Sequence, residues 1–182
     1  MKLEQVYKET VGMMPIYTET GNATRVLYLK EEGKIDSVIF PQQLERIKLK
    51  WAGLYAVDLK AQARQLQSKY QRSAPLPFYA PKGKVFVPFK LRLTKVTGDA
   101  IYGYICTDVI SQIKMLSRSD CLLFLSDGSE LPIYSSVETA KLAYYLGKEI
   151  VRDCFYEGSD KNQELLTALQ TLRKYFLPSG NV

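Results

Sequence analysis

The residues of this sequence best placed to do chemistry are its cations. Between Arg46 and Lys95 there are twelve basic residues and a single acid, Asp58, so this segment carries +11 while the rest of the chain carries −5. Ten of the twelve are candidate phosphate contacts: Lys48 and Lys50, then Lys60, Arg64, Lys69 and Arg72, then Lys82 and Lys84, then Lys90 and Arg92. Clustered Lys and Arg create a positive field that attracts phosphates and speeds encounter with them. A merely solvated face is the simpler reading of a charge run, but solubility is ordinarily served by mixed signs. A basic module that holds an acidic protein partner is the second alternative. Polyanion binding, above all to double-stranded DNA, is the reading the charge asymmetry favours.

Other chemistries have less to work with. The chain contains no histidine, which removes the commonest general base, the commonest metal ligand and every Ser–His or Cys–His nucleophile pair. Its three cysteines, Cys106, Cys121 and Cys154, are odd in number and form no C-x-x-C pair. That usage offers no zinc site and fits a reducing compartment. Gly98, Gly103, Gly128 and Gly147 form neither G-x-G-x-x-G nor a P-loop, so no nucleotide cofactor is expected. Asp99, Asp108, Asp120 and Asp127 stand where turns are expected, the ordinary place for solvated aspartates. Tyr55, Tyr70, Tyr79, Tyr102 and Tyr104 lie in or just beyond the basic segment, where phenols can stack on bases or bond phosphates. Core or sheet-face packing is the commoner use of such residues. A catalytic role is the least favoured class, and neither a metal nor a cofactor is expected.

Three cationic elements are expected to converge: a helix with Lys60 and Arg64, a Lys82-Gly83-Lys84 turn, and an edge strand with Lys90 and Arg92. The helix is predicted over 56–72, where Leu59, Ala63, Leu66 and Tyr70 recur at helical spacing. Pro75, Pro77 and Pro81 keep the following stretch extended. The strand from Val85 to Arg92 contains Pro88, which predicts a sheet edge or a bulge. Residues 44–51 fit both periods: Ile47-Lys-Leu-Lys-Trp51 alternates, yet Leu44, Ile47 and Trp51 also make a helical stripe, with Gly53 expected to break either.

Around these elements the pattern predicts mostly antiparallel strands. Arg25–Lys30 and Asp36–Phe40 form a hairpin closed by Pro41, and Ile101–Ile105 is a strand whose Gly103 signals close backbone approach. Asp120–Leu125 and Glu130–Tyr134 flank the turn pair Asp127-Gly128. Ser135 with Glu138 has capping-box spacing and opens a helix whose inward stripe is Val137, Ala140, Tyr144, Gly147, Val151 and Cys154. A last helix is predicted from about Asp160 to Phe176, stopped by Pro178. The class is α+β: a mostly antiparallel sheet with one central helix and two C-terminal helices, in one domain over 1–182. No run approaches the ~18–20 apolar residues of a membrane span, and Met1-Lys2-Leu3-Glu4-Gln5 lacks a signal-peptide core. A cytoplasmic protein without membrane contact is expected.

The order and spacing of these blocks resemble the competence transcription factor (ComK) family over about residues 36–150. The likeness rests on Pro41 twelve residues before Gly53, with Tyr55 and Lys60 following. It continues through the run Pro75-Leu-Pro-Phe-Tyr-Ala-Pro81 into Val85-Phe-Val-Pro-Phe89, and then Tyr102-Gly103-Tyr-Ile. It ends at Phe124-Leu-Ser-Asp-Gly-Ser-Glu-Leu-Pro132, with Ser135 or Ser136 starting a helix in the C-terminal segment of about 135–177. The resemblance implies a cytoplasmic activator that binds paired A·T-rich boxes, largely through the minor groove, as dimers that pair into tetramers. It also implies a C-terminal docking segment for a proteolytic adaptor protein. Family members are richer in Ser, Gly and Arg after the glycine, whereas this chain reads Gly53-Leu-Tyr-Ala-Val-Asp-Leu-Lys60, with Asp58 opposite in sign to a phosphate contact.

Overall fold

A computed structural model of the chain describes residues 2–156. The helix expected from Asp160 to Phe176, and its stop at Pro178, lie outside the described residues. Six strands make the main sheet: β1 (Thr10–Thr18), β2 (Gly21–Leu29), β3 (Ile35–Phe40), β4 (Phe78–Ala80), β5 (Lys84–Lys90) and β6 (Tyr102–Cys106). Their order is β3-β2-β1-β6-β5-β4 and every pairing is antiparallel. A second sheet of three strands holds β7 (Ile110–Met115), β8 (Cys121–Leu125) and β9 (Glu130–Ile133) in sequence order. The helices are α1 (Leu3–Val6), α2 (Leu44–Leu54), α3 (Leu59–Tyr70) and α4 (Val137–Val151). The chain is α+β, as its sequence predicts.

The ambiguous segment is a helix. Leu44, Ile47, Trp51 and Ala52 are the buried residues of α2, and a strand would instead have buried Leu49, which is 54% exposed. Gly53 does not break it and sits in the last turn, so two helices, α2 and α3, stand in the middle of the chain where one was expected. The helix after the last hairpin begins one residue later than its capping-box spacing implies. Ser136 is the N-cap, its Oγ accepting from Thr139 N–H at 3.3 Å. On the inner face of α4 Ala140, Gly147 and Ile150 are buried, whereas Cys154 at the far end is exposed.

Two prolines fall where a neighbouring strand has already ended. Pro88 pairs with Tyr104 of β6, and on its other side β4 stops at the pair Phe78–Phe86. Pro15 of β1 pairs with Thr24 of β2, while β6 reaches β1 only at Gly12 and Met13. A residue with no N–H to donate is tolerated there because no ladder bond is missing. β5 is therefore an inner strand whose second half is an edge.

Close packing fixes two glycines. A Cβ on Gly103 would lie 2.8 Å from Met13 O and 2.7 Å from Leu91 Cδ1, the backbone approach its place in the strand suggested. A Cβ on Gly147 would lie 2.3 Å from Val87 Cγ1 and 2.7 Å from Thr107 Cγ2, where α4 crosses β5. The buried side chains form one cluster that includes Leu3, Trp51, Phe86, Leu123 and Ile150, drawing on both sheets and on α1, α2 and α4.

The two helical glycines give a matched test. Gly147→Ala should destabilise the fold by about 1–3 kcal/mol through overpacking against two β-branched side chains. Gly53→Ala, with open space around its Cβ position, should be neutral or stabilise by up to about 1 kcal/mol through helix propensity. Urea denaturation of both variants distinguishes the two signs.

Candidate nucleic-acid interface

α3 is attached to the rim of the main sheet by one side chain. Gln62 Nε2 donates to Tyr79 O at 2.8 Å, and Tyr79 N–H donates to Gln62 Oε1 at 3.0 Å. A side-chain amide thus supplies β4 with the two bonds a further strand would have made, closing an edge open to other chains. With Gln62 and Leu66 turned inward, Lys60 and Arg64 face solvent. Tyr79 pairs with Val85, so these two cations lie at the Lys82-Gly83-Lys84 end of β5.

Asp58, the acid that seemed to oppose a phosphate-binding role, is the N-cap of α3. Its carboxylate accepts from Lys60 N–H at 2.9 Å and Ala61 N–H at 3.0 Å. Those backbone bonds, Ala61 first and Lys60 second, hold its pKa below the ordinary aspartate value. Its negative charge is directed at its own helix N-terminus, where it is favourable.

The ten predicted contacts separate by their surroundings. Lys50, Lys60, Arg64, Arg72 and Lys82 are exposed, Lys50 also reaching Gln42 Oε1 at 3.3 Å. Lys69 is exposed on the same helix but pairs with Asp153 at 2.7 Å. Lys84 is half-buried and its Nζ donates to Lys8 O. Lys90 is half-buried at the other end of β5, about 20 Å from Lys84 at the usual strand rise.

Two of the ten face inward. Lys48 has a side chain 13% exposed, lies 4.8 Å from the Tyr104 ring centroid and pairs with Glu45 at 2.8 Å. Arg92 is 7% exposed; it donates from Nε to Ala100 O, and from Nη1 to Ile16 O and Asn22 Oδ1, with its guanidinium 4.2 Å from the Tyr17 ring centroid. The expected convergence of three elements is thereby corrected to two, α3 and the β4–β5 turn. Strand geometry puts Lys90 and Arg92 at the opposite end of β5, and Arg92 turns in toward β1 and β2.

The structure adds a cation that the candidate set omitted. Arg46 is exposed in the first turn of α2, four residues before Lys50 and so on the same outer face. A helical reading of 44–51 would have placed it there. Of the five tyrosines, Tyr55 packs against Trp51, Tyr70 donates to Asp153 at 2.7 Å, Tyr104 is buried and Tyr79 packs on Phe155; Tyr102 is exposed.

Asp153 also links α3 to the π-helical turn Arg152–Tyr156 that follows α4, through Lys69 and Tyr70. Among the described residues no group of three or more His, Cys, Asp or Glu is placed to hold a metal, and no helix is long and apolar enough to cross a membrane. No family model, curated protein or solved structure matches the chain.

Hydrogen bonds from Lys69 and then Tyr70 hold the Asp153 carboxyl below the ordinary aspartate value. A depressed folded pKa adds stability above the unfolded value, near 4, and loses it as pH falls through the folded value. Asp153→Asn should therefore lower the urea midpoint at pH 5–7, with the gap closing on acidification. Denaturation of both proteins from pH 3 to 7 checks this, and a pH-independent gap would contradict it.

Proposed function

We propose that this protein is a DNA-binding transcriptional regulator of the competence transcription factor type. The observation that carries the reading is the state of the segment's charges. Arg46, Lys50, Lys60, Arg64, Arg72 and Lys82 are exposed on α2, α3, the connection after α3 and the β4–β5 turn, and the only acid of that segment is committed to capping α3. A surface of this kind suits a phosphate backbone, which supplies most of the affinity of a protein for DNA and makes it salt-dependent. It carries no sequence information by itself. The choice of A·T-rich duplex comes from the family resemblance and fits a mode in which cations enter a narrow, electronegative minor groove.

In this role the chain works in the cytoplasm as an activator, without a catalytic step, and as a homo-oligomer that sets two half-sites side by side. Its abundance would be governed by an adaptor protein that delivers it for proteolysis. The resemblance supports both points, and the fold leaves the outer faces of α2 and α3 uncovered for the duplex.

Neutralising Lys50, Lys60, Arg64 and Lys82 to Gln should flatten the dependence of log affinity on log salt by about 0.9 for each phosphate that is no longer neutralised. Lys141→Gln, on exposed α4, should leave the slope unchanged. Fluorescence anisotropy with a labelled duplex across a salt series measures both. An unchanged slope in the fourfold variant, or no binding at low salt, would overturn the proposal. Binding to an acidic peptide but to no duplex would favour the protein-interaction alternative.

A further inference from the structure

The first turn of α2 opens onto a notch of about 160 Å³ lined by Pro15, Asn22, Gln43, Leu44, Arg92 and Asp99, among others. The helix end there is uncapped. Gln43, the N-cap residue, makes no side-chain cap, and the N–H groups of Arg46 and Ile47 both donate to Gln43 O. The N–H groups of Leu44 and Glu45 are left without an acceptor among the described residues. Such groups, with the positive end of the helix dipole behind them, favour an anion.

Arg92 points to the same ligand independently. Its Nε and both Nη1 hydrogens are taken by Ala100 O, Ile16 O and Asn22 Oδ1. Nη2 has no acceptor among the described residues, yet no buried side-chain polar atom among them is unpaired. Nη2 therefore keeps its opening to the notch that Arg92 lines. A guanidinium this deeply buried, held by neutral acceptors and in no ion pair among the described residues, lacks the counter-charge that usually accompanies a buried cation.

The two carboxylates at the notch are otherwise committed. Asp99 accepts from Tyr17 Oη at 2.5 Å and Asn22 Nδ2 at 2.9 Å, and Glu45 pairs with Lys48 at 2.8 Å. Arg46 stands beside the opening, lining an adjoining depression with Asn22, Gln42 and Gln43.

We propose that this notch seats a phosphate group, with Arg92 Nη2 and the N–H groups of Leu44 and Glu45 donating to its oxygens and Arg46 at the rim. The same chemistry fits a phosphodiester of bound DNA or a free phosphorylated small molecule. Assigning it to DNA rests on the proposed function; the notch itself does not.

The test is titration of the 15N-labelled protein with inorganic phosphate, against chloride at matched ionic strength. It is followed at the Leu44 and Glu45 amides in the wild type and in two variants. Gln43→Asp places a carboxylate where it caps the free N–H groups itself, so it should raise the melting temperature while excluding an anion. Gln43→Ala leaves them free. Phosphate should shift both amides saturably in the wild type and in Gln43→Ala, and bind at least about tenfold more weakly in Gln43→Asp, a loss of ~1.4 kcal/mol. Equal shifts from chloride, no shifts, or unweakened phosphate binding in Gln43→Asp would overturn the site.

Salt-dependent duplex binding then separates the sources. A slope shallower by about 0.9 in Gln43→Asp supports a DNA phosphate. Equal slopes beside a working phosphate site overturn that assignment in favour of a free phosphorylated ligand. No duplex binding beside a working site would sink the proposed function and leave the notch standing.

Discussion

The placement of the basic surface depends on one buried side chain, Trp51. It is fully inaccessible on the inner face of α2, with ring centroids 5.6 Å from Phe78 of β4, 5.0 Å from Phe86 of β5 and 4.7 Å from Tyr55 in the link to α3. Its Nε1 donates to Tyr7 O at 3.0 Å, so the indole is also satisfied against the end of α1. Aromatic side chains bury about 150–250 Å² each and gain further from edge-to-face geometry. One residue thereby holds α2 on the sheet, and through Tyr55 the start of the connection that aims α3. Gln62 completes the placement by pinning α3 to Tyr79. The outward direction of Arg46, Lys50, Lys60 and Arg64 follows from which faces these two residues hold inward.

The same packing sorts a continuous run of positive charge into two populations. Lys48 and Arg92 lie within the fold, where aromatic faces and backbone carbonyls replace water around them. The others remain in solvent, where a long-range field is made. The field therefore originates on α2, α3 and the β4–β5 turn rather than along the whole of β5. Neutralising a buried member would disturb the fold as well as the field, so charge-change experiments on the surface depend on knowing which population a residue belongs to.

Much of this fold was legible where local chemistry decides it. The hairpin about Asp127-Gly128, the helix containing Leu59 to Tyr70, the Lys82-Gly83 turn and the close approach at Gly103 all follow from turn residues and periodicity. β1 gave no such signal: Gly12 and Pro15 interrupt it, and its first six residues are all buried, so period-two alternation is absent. Segment 44–51 satisfied both periods, and the burial of Trp51 against two strands remote in sequence settled it. The cap on α4 shifted from Ser135 to Ser136 because adjacent serines offer the same hydroxyl to different turns. Net charge was readable, but its sorting was not. Arg92 is turned inward by Ile16 and Asn22, some seventy residues away, and no local pattern reports such an interaction. The uncapped N-terminus of α2 was likewise hidden until the helix was placed.

Two properties decide the role of this protein: whether the exposed cations serve DNA, and whether the duplex is chosen by its composition. The most direct measurement is the affinity of the full chain for A·T-rich and G·C-rich duplexes of equal length, at one fixed salt concentration. Binding to both is predicted, tighter for the A·T-rich duplex by roughly tenfold or more, a modest part of the usual gap between specific and non-specific binding. Equal affinity for the two would reduce the protein to a general polyanion binder and contradict the A·T-rich assignment. Absence of binding to either would contradict the DNA-binding role as a whole.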